Sequence, residues 1–358
     1  MLTQYGWSQE LQDQFQPYAA DGFVPGRIVV QHRGGYRLIT EDGEVDARAS
    51  GTLLKSASDE ERPTAGDWVA IEARPGETTA LVRHVLPRKT AFIRKASGPR
   101  GGAQVVAANV DVAFLVASLN ADLNLRRLER YLATAYESGA DPVIVLTKVD
   151  LMDDPSEAVA EVEAIAFGAP VLAVSSKTGQ GLDGVAAHLP PGRTAVLLGS
   201  SGAGKSTLLN ALAGEERMAT AEIREDDARG RHTTTHRELV LLPSGGLILD
   251  TPGMRELGLW DAGTGVSTVF EDVEELAGQC RFGDCTHTRE PGCAVREAIE
   301  AGVMPVERLR AYEKLQAELA YERRRNDPQA AKDNRRLWAS RHKAARAWMK
   351  QKRGIDDG

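Results

Sequence analysis

Hydrophobic positions recur along this chain with two different periods, and the change of period divides it. Residues 1–20 are polar and show little pattern. From about Pro25, short alternating runs rich in β-branched residues follow one another: 26–32 (GRIVVQH), 36–40 (YRLIT), 44–50 (EVDARAS), 67–73 (DWVAIEA) and 80–86 (ALVRHVL). Turn signals, Gly34-Gly35 and Asp42-Gly43 among them, separate the runs. Five short strands at this spacing suit a small β-barrel of the OB or SH3-like type, and an OB-like barrel is the expectation for residues 1–93. OB-folds often bind RNA, but a fold by itself assigns no function.

The stretch 94–104 (RKASGPRGGAQ) is basic and Gly-rich and reads as an exposed linker. Beyond it the pattern becomes strand, helix, strand, helix. Runs 110–118, 141–150, 170–176 and 194–199 are strand candidates, interleaved with helical periodicity over 125–138, 156–167, 181–189 and 205–214. Such alternation predicts a parallel sheet with helices on both faces over residues 105–262. The region 263–358 is helical and charged; 307–325 should be one helix, ended by Asn326-Asp327-Pro328.

Composition adds a compartment and a polarity. At 358 residues, 42% hydrophobic and 27% charged, the chain has room for more than one core. Three cysteines are too few for a disulfide framework, which favours a reducing compartment. No apolar run approaches the ~18 residues of a membrane span, and the start lacks a secretory profile. A cytoplasmic protein without membrane contact is expected. The net charge of −7 hides an asymmetry: residues 323–353 hold 12 Lys/Arg against 2 Asp/Glu, leaving −17 on the rest. An acidic body with a basic tail points to one positively charged contact region.

Candidate chemistry sharpens this. Gly199-Ser200-Ser201-Gly202-Ala203-Gly204-Lys205-Ser206, followed by Thr207, fits G-x-x-x-x-G-K-[ST] between a strand and a helix. The glycines let backbone N–H groups converge on phosphate oxygens, Lys205 would reach the β- and γ-phosphates, and the Ser206 hydroxyl would ligate Mg²⁺. The run 247–250 (LILD) ends in Asp250, placed to hold the same ion, and Gly253 follows with an N–H for the γ-phosphate.

Thr147-Lys148-Val149-Asp150 resembles the guanine-reading N-K-x-D motif, with Thr in place of Asn. Asp150 would accept from guanine N1–H and the N2 amino group, which adenine lacks. Val174-Ser175-Ser176-Lys177, at the end of the next strand, resembles the S-A-K element that supports the base. Here the base-reading motifs precede the P-loop, the reverse of the usual order, so the expected domain is a circular permutation. Its site survives because every motif still lies at one edge of a parallel sheet.

Permutation, a preceding barrel and a following Cys/His cluster together resemble the ribosome small subunit-dependent GTPase A (RsgA) family. The residues carrying the likeness are GDWV (66–69), LPRKT (86–90), QVVAANVD (104–111), TKVD (147–150), GSSGAGKST (199–207), GRHTTT (230–235) and DTPGMRE (250–256), with the cysteines. The resemblance implies a GTP hydrolase that acts late in small-subunit assembly and is stimulated by that subunit.

In the first-switch position, Thr234 or Thr235 should complete the Mg²⁺ shell. Met254 stands where many GTPases place a water-orienting Gln, so intrinsic hydrolysis should be slow. His232 is the nearest candidate for the missing role; a packing or solvated histidine is the alternative. Cys280, Cys285, His287 and Cys293 form C-x4-C-x-H-x5-C, a closed Cys₃His set for one structural zinc. In the tail, Trp338 and Trp348 are interleaved with Arg335, Arg336, Arg341, Lys343, Arg346 and Lys350, a pattern suited either to a solvated basic helix or to rRNA phosphates.

The reading is therefore a multidomain α/β protein: OB-like barrel, circularly permuted P-loop GTPase domain, and helical zinc-binding domain with a basic tail. Its partners are GTP/GDP and the small ribosomal subunit with its rRNA, and the chain is expected to be a monomer. A P-loop kinase, or an RNA-binding module with a regulatory nucleotide site, are the rival readings.

Overall fold

A computed structural model describes residues 1–73, 78–95, 103–120, 123–215, 237–251 and 263–326. These divide into two compact units, one taking in the chain up to residue 251 and one holding residues 270–326.

The first unit begins with β1 (Val24–His32), β2 (Gly35–Thr40), β3 (Gly43–Ala49), β4 (Trp68–Glu72) and β5 (Thr79–Val85), each lying where alternation places it. Pairing runs β1–β2–β3–β5–β4 and closes from β4 back to β1, with β3 and β5 parallel. This is the OB-like barrel. Ile28, Leu38, Val69, Ile71 and Val82 point into it and fill it. Helix α2 (Gly51–Ser56), capped by Ser50 Oγ, bridges β3 to β4.

The unpatterned N-terminus contains α1 (Gln9–Ala20), which starts where Ser8 Oγ accepts from the Leu11 amide at 3.3 Å. Only Phe15 of this helix is buried, against Trp7, which itself stacks edge-on with Trp68 of the barrel. One aromatic anchor and a cap leave no apolar stripe to read.

Next come β6 (Ala91–Lys95) and β7 (Ala103–Ala108), an antiparallel hairpin. The linker read over 94–104 thus has strand at both ends, with Arg94 opposite Gln104 and Lys95 opposite Ala103. Arg94 and Gln104 are half-buried and Ala103 is buried, so at its described ends this segment is not the exposed linker expected.

The nucleotide-type sheet follows: β8 (Val112–Ser118), α3 (Leu125–Ser138), β9 (Asp141–Thr147), α4 (Ser156–Glu163), β10 (Val171–Ala173), α5 (Leu182–Ala187), β11 (Thr194–Leu198), α6 (Lys205–Ala213), β12 (Arg237–Leu241) and β13 (Leu247–Asp250). Strands β10–β9–β8–β11–β13 are parallel, and β11, late in the chain, lies between β8 and β13. Alternate residues Val112, Phe114, Val116, Val143 and Val145 pack against Val185 of α5 and Leu208 and Leu209 of α6. Helix α3, capped by Asn124 Oδ1 on the Arg127 amide at 3.0 Å, contacts β8 and β9.

Strand β12 departs from the all-parallel expectation. It runs antiparallel to β13 and pairs on its other side with β1, joining sheet and barrel into eleven continuous strands.

Several segments that carry the family likeness meet at this junction. Gly66 has φ +91, and a Cβ there would strike the Ala108 carbonyl. Asn109 spans both sides, donating to Gly66 O at 3.1 Å and accepting from the Lys89 amide at 3.0 Å. Buried Asp67 takes both ends of the Arg88 guanidinium, at 2.7 and 2.8 Å. Arg27, 2% exposed, donates to Tyr5 O, Asn109 O (3.2 Å) and Thr194 Oγ1 (2.8 Å). Burial pushes its pKa down to about 10, opposed by the carboxylates of Asp111 and Asp67, so it stays charged at neutral pH. Thr194 opens β11, and its amide is held by Asp111 Oδ2 at 2.9 Å. The strand feeding the P-loop is thereby bonded at its root to the barrel.

After α7 (Gly263–Val269), the second unit contains α8 (Glu271–Gly278), α9 (Ala294–Glu300) and α10 (Val306–Asn326). Arg308 of α10 pairs with Asp272 of α8 at 3.0 Å and stacks 4.1 Å over Phe270. Among the described residues, no helix is long and apolar enough to cross a membrane.

Candidate nucleotide site and metal centre

The loop between β11 and α6 is Gly199–Gly204, opening directly on the first turn of α6 at Lys205. At Gly199 a Cβ would run into the Val116 carbonyl of neighbouring β8, so only glycine lets the loop leave the sheet here. Lys205 Nζ curls over the loop and donates to Gly199 O at 2.7 Å and Ser200 O at 2.5 Å. Ser206 is half-buried and Thr207 exposed, both in that first turn, while Ser201 and Gly202 lie at the surface. Backbone amides and an ammonium group thus converge at a helix N-terminus, the arrangement suited to phosphate.

The motif TKVD reaches this loop across the sheet. Thr147, 2% exposed at the end of β9, donates its hydroxyl to Ala203 O at 2.7 Å. Lys148, in the left-handed region at φ 62°, donates to Gly202 O at 2.9 Å. The replacement of Asn by Thr therefore keeps a hydrogen-bonding grip on the P-loop. Val149 is buried and its amide donates to Val174 O at 3.2 Å, tying TKVD to the next strand. That contact leaves Asp150 exposed on a short 3₁₀ turn (Val149–Leu151). Ser175 is fully buried, and its Oγ accepts from the Thr178 amide at 3.2 Å; Ser176 is half-buried and Lys177 exposed. The motifs of 147–150, 175–177 and 199–207 thus share one sheet edge.

Asp250 ends β13, whose Leu249 is in register with Val196 of β11. The next residue, Thr251, has a buried hydroxyl with no partner among the described residues, a feature that sequence reading passed over. His232, Thr234, Thr235, Gly253 and Met254 lie outside the described residues, as do Trp338, Trp348 and the basic positions of the tail. Arg27 was also missed. Its signal was a charged residue inside the apolar run GRIVV, which implies a buried and answered cation.

In the second unit Cys280, Cys285, His287 and Cys293 bring their ligand atoms within 4.8 Å of one another and can hold a metal ion. Cys280 Sγ lies 3.9 Å from Cys293 Sγ and 3.7 Å from His287 Nδ1, which is 3.4 Å from Cys293 Sγ. A tetrahedron with Zn–S of about 2.3 Å and Zn–N of about 2.0 Å has edges of about 3.8 and 3.5 Å. The donor set fits zinc in kind and in spacing. His287 reaches this position from φ 56°, a conformation the loop imposes for the cluster.

A P-loop strand between β8, which precedes it in the chain, and β13, which follows it, with the guanine-type motifs of the earlier strands on the same edge, defines a circularly permuted P-loop GTPase domain behind an OB-like barrel. Comparison with known proteins narrows this further. Residues 85–260 match the RsgA GTPase family model. The chain is 48% identical over 357 residues to the small ribosomal subunit biogenesis GTPase RsgA of Streptomyces coelicolor, covering 99% of this chain and 96% of that protein. It is 47% identical to the protein of that name from Opitutus terrae, covering 97% of each. Crystal structures of YjeQ from Thermotoga maritima (TM-score 0.62, 28% identity, 83% of this chain and 98% of that one) and of YloQ, a circularly permuted GTPase (TM-score 0.57, 26% identity, 83% and 95%), share the fold. The chain belongs to the RsgA GTPase family.

Proposed function

We propose that this protein hydrolyses GTP to GDP and phosphate in the cytoplasm and acts, as a monomer, in late assembly of the small ribosomal subunit, whose binding stimulates turnover. The observation that supports this most is the grip of Thr147 and Lys148 on the P-loop carbonyls. It joins a guanine-type motif to a phosphate cradle in one site. A P-loop kinase has no need of TKVD, and an RNA-binding module has no need of the cradle.

In this reading Asp150 accepts two hydrogen bonds from guanine, and the Ser175–Lys177 turn supports the base. The amides of Gly199–Gly204 and the Lys205 ammonium take the phosphates, and the Gly253 amide meets the γ-phosphate. Lys205 also neutralises charge that develops on the phosphoryl oxygens. Ser206 and Asp250 offer hard oxygen donors suited to Mg²⁺, with Thr234 or Thr235 as a further ligand. Magnesium held by these residues would supply positive charge against the phosphates. With Met254 unable to orient water, His232 is the residue assigned that role, brought into place by the subunit. The Cys₃His cluster holds one structural zinc, and the tail meets rRNA phosphates.

Titration with GTP, GDP and ATP tests the nucleotide assignment. Guanine nucleotides should bind far more tightly than ATP; equal affinity would remove Asp150 from its role.

A further inference from the structure

Strand β12 meets the barrel strand β1 through two register pairs, Val30–Glu238 and Gln31–Arg237, at its first two residues. On its other side Glu238 is also the register partner of Asp250, the last residue of β13. Val30, Glu238 and Asp250 thus lie in one row across three strands. The residue read as magnesium-directed closes a strand whose outermost pair abuts the barrel. Strand ends open more easily than strand centres, so whatever holds the start of β12 bears on where Asp250 sits.

Side chains reinforce that row. Gln31 Oε1 accepts from Arg237 Nη1 at 2.8 Å, from Thr64 Oγ1 at 3.0 Å and from the Ala65 amide at 3.4 Å. Arg237 Nη1 also donates to Thr64 Oγ1 at 3.1 Å, and the Thr64 amide donates to Oδ2 of buried Asp67 at 2.8 Å. A guanidinium and a backbone amide can only donate, so Gln31 must present its oxygen to them. Burial pushes the Arg237 pKa down to about 10, which leaves it charged at neutral pH. A charge-assisted bond therefore ties the first residue of β12 to a barrel segment that is itself anchored on Asp67.

We propose that Gln31, Thr64 and Arg237 form a clamp through which the barrel positions Asp250 for its metal ion, and that they are positioning residues of the nucleotide site. The clamp rests on the reading of Asp250 as magnesium-directed. Loosening it lets Glu238 and Asp250 separate, so the metal is held less firmly. The P-loop, carried by β11 and α6, keeps its hold on the phosphates.

The test uses the full chain saturated with a slowly hydrolysed GTP analogue and titrated with Mn²⁺. That ion shares magnesium's preference for oxygen donors, and its free form is read by electron paramagnetic resonance. Gln31→Met and Arg237→Met should each bind Mn²⁺ about three- to tenfold more weakly than wild type, the scale of one lost charge-assisted bond. Gln31→Glu, which keeps the acceptor, should bind it as wild type does. GDP affinity in excess EDTA should be unchanged in all three. A fall in that affinity matching the loss of Mn²⁺ binding would mean general loosening of the domain and would overturn the clamp. Asp250→Asn separates the proposal from the reading beneath it, and should weaken Mn²⁺ binding more than either Met variant. If it does so while the Met variants bind Mn²⁺ like wild type, the clamp falls and the reading stands. If Asp250→Asn leaves Mn²⁺ binding unchanged, both fall. Should a Met variant fail to fold, Arg237→Lys, which keeps the charge without the planar fork, should show a partial loss in the same titration.

Discussion

Replacing Thr147 by Val removes one hydroxyl and almost no volume. In the structure that hydroxyl donates to Ala203 O at 2.7 Å, and the two residues are 2% and 0% exposed. Water has no route to the abandoned carbonyl, and the isosteric side chain opens no cavity. The loss is then the cost of a buried acceptor left unpaired, about 1–2 kcal/mol. Because this bond holds the P-loop in shape, the cost should fall on nucleotide binding, where a looser loop must be ordered again. About 1–2 kcal/mol corresponds to GDP bound roughly 5- to 30-fold more weakly. The assay is equilibrium binding of a fluorescent GDP analogue to wild type, Thr147→Val and Thr147→Ser; the serine variant, which keeps the donor, should stay near wild type. A valine variant with wild-type affinity would refute the claim that TKVD organises the loop.

Three further outcomes follow from the same geometry. Asp150→Asn should shift preference from guanine to xanthine nucleotides, whose C2 oxygen accepts from the new amide; unchanged GDP preference in competition binding would remove Asp150 from the base site. Protein purified under reducing conditions should carry one zinc per chain by metal analysis, and Cys285→Ala should lose it and destabilise the helical unit while GDP binding persists. Arg27→Met should lower unfolding free energy by at least about 3 kcal/mol, because Asn109 O and Thr194 Oγ1 lose a charged donor in a buried setting; a denaturation midpoint equal to wild type would count against the junction.

What could be read from the sequence was whatever has a local cause. Alternation placed the five barrel strands, and 3.6-residue periodicity placed α3 between Asn124 and Gly139, its two caps. The P-loop, TKVD and the Cys/His spacing were legible because backbone geometry, base chemistry and metal coordination each demand particular residues at fixed intervals. Features built from distant partners were not legible. The pairing of β1 with β12 joins Gln31 to Arg237, and nothing near either residue announces the other. Helix α1 escaped because a single buried Phe15 holds it. The ends of the supposed linker at 94–104 are strands because their partners lie across a hairpin, and that pairing half-buries Arg94, which its charge did not announce. Thr147 stands out in the sequence only as a departure from the Asn of the guanine motif; the position of Ala203 O reveals what its hydroxyl does.

If nucleotide turnover here serves a ribosomal partner, multiple-turnover GTP hydrolysis should respond to purified small ribosomal subunits. Alone, the protein should turn over slowly, since Met254 offers no hydrogen bond to water. Small subunits should accelerate it on the order of a hundredfold, the scale of one well-placed proton acceptor, while large subunits do little and Lys205→Ala abolishes the gain. An identical rate with and without small subunits would rule out subunit-stimulated hydrolysis.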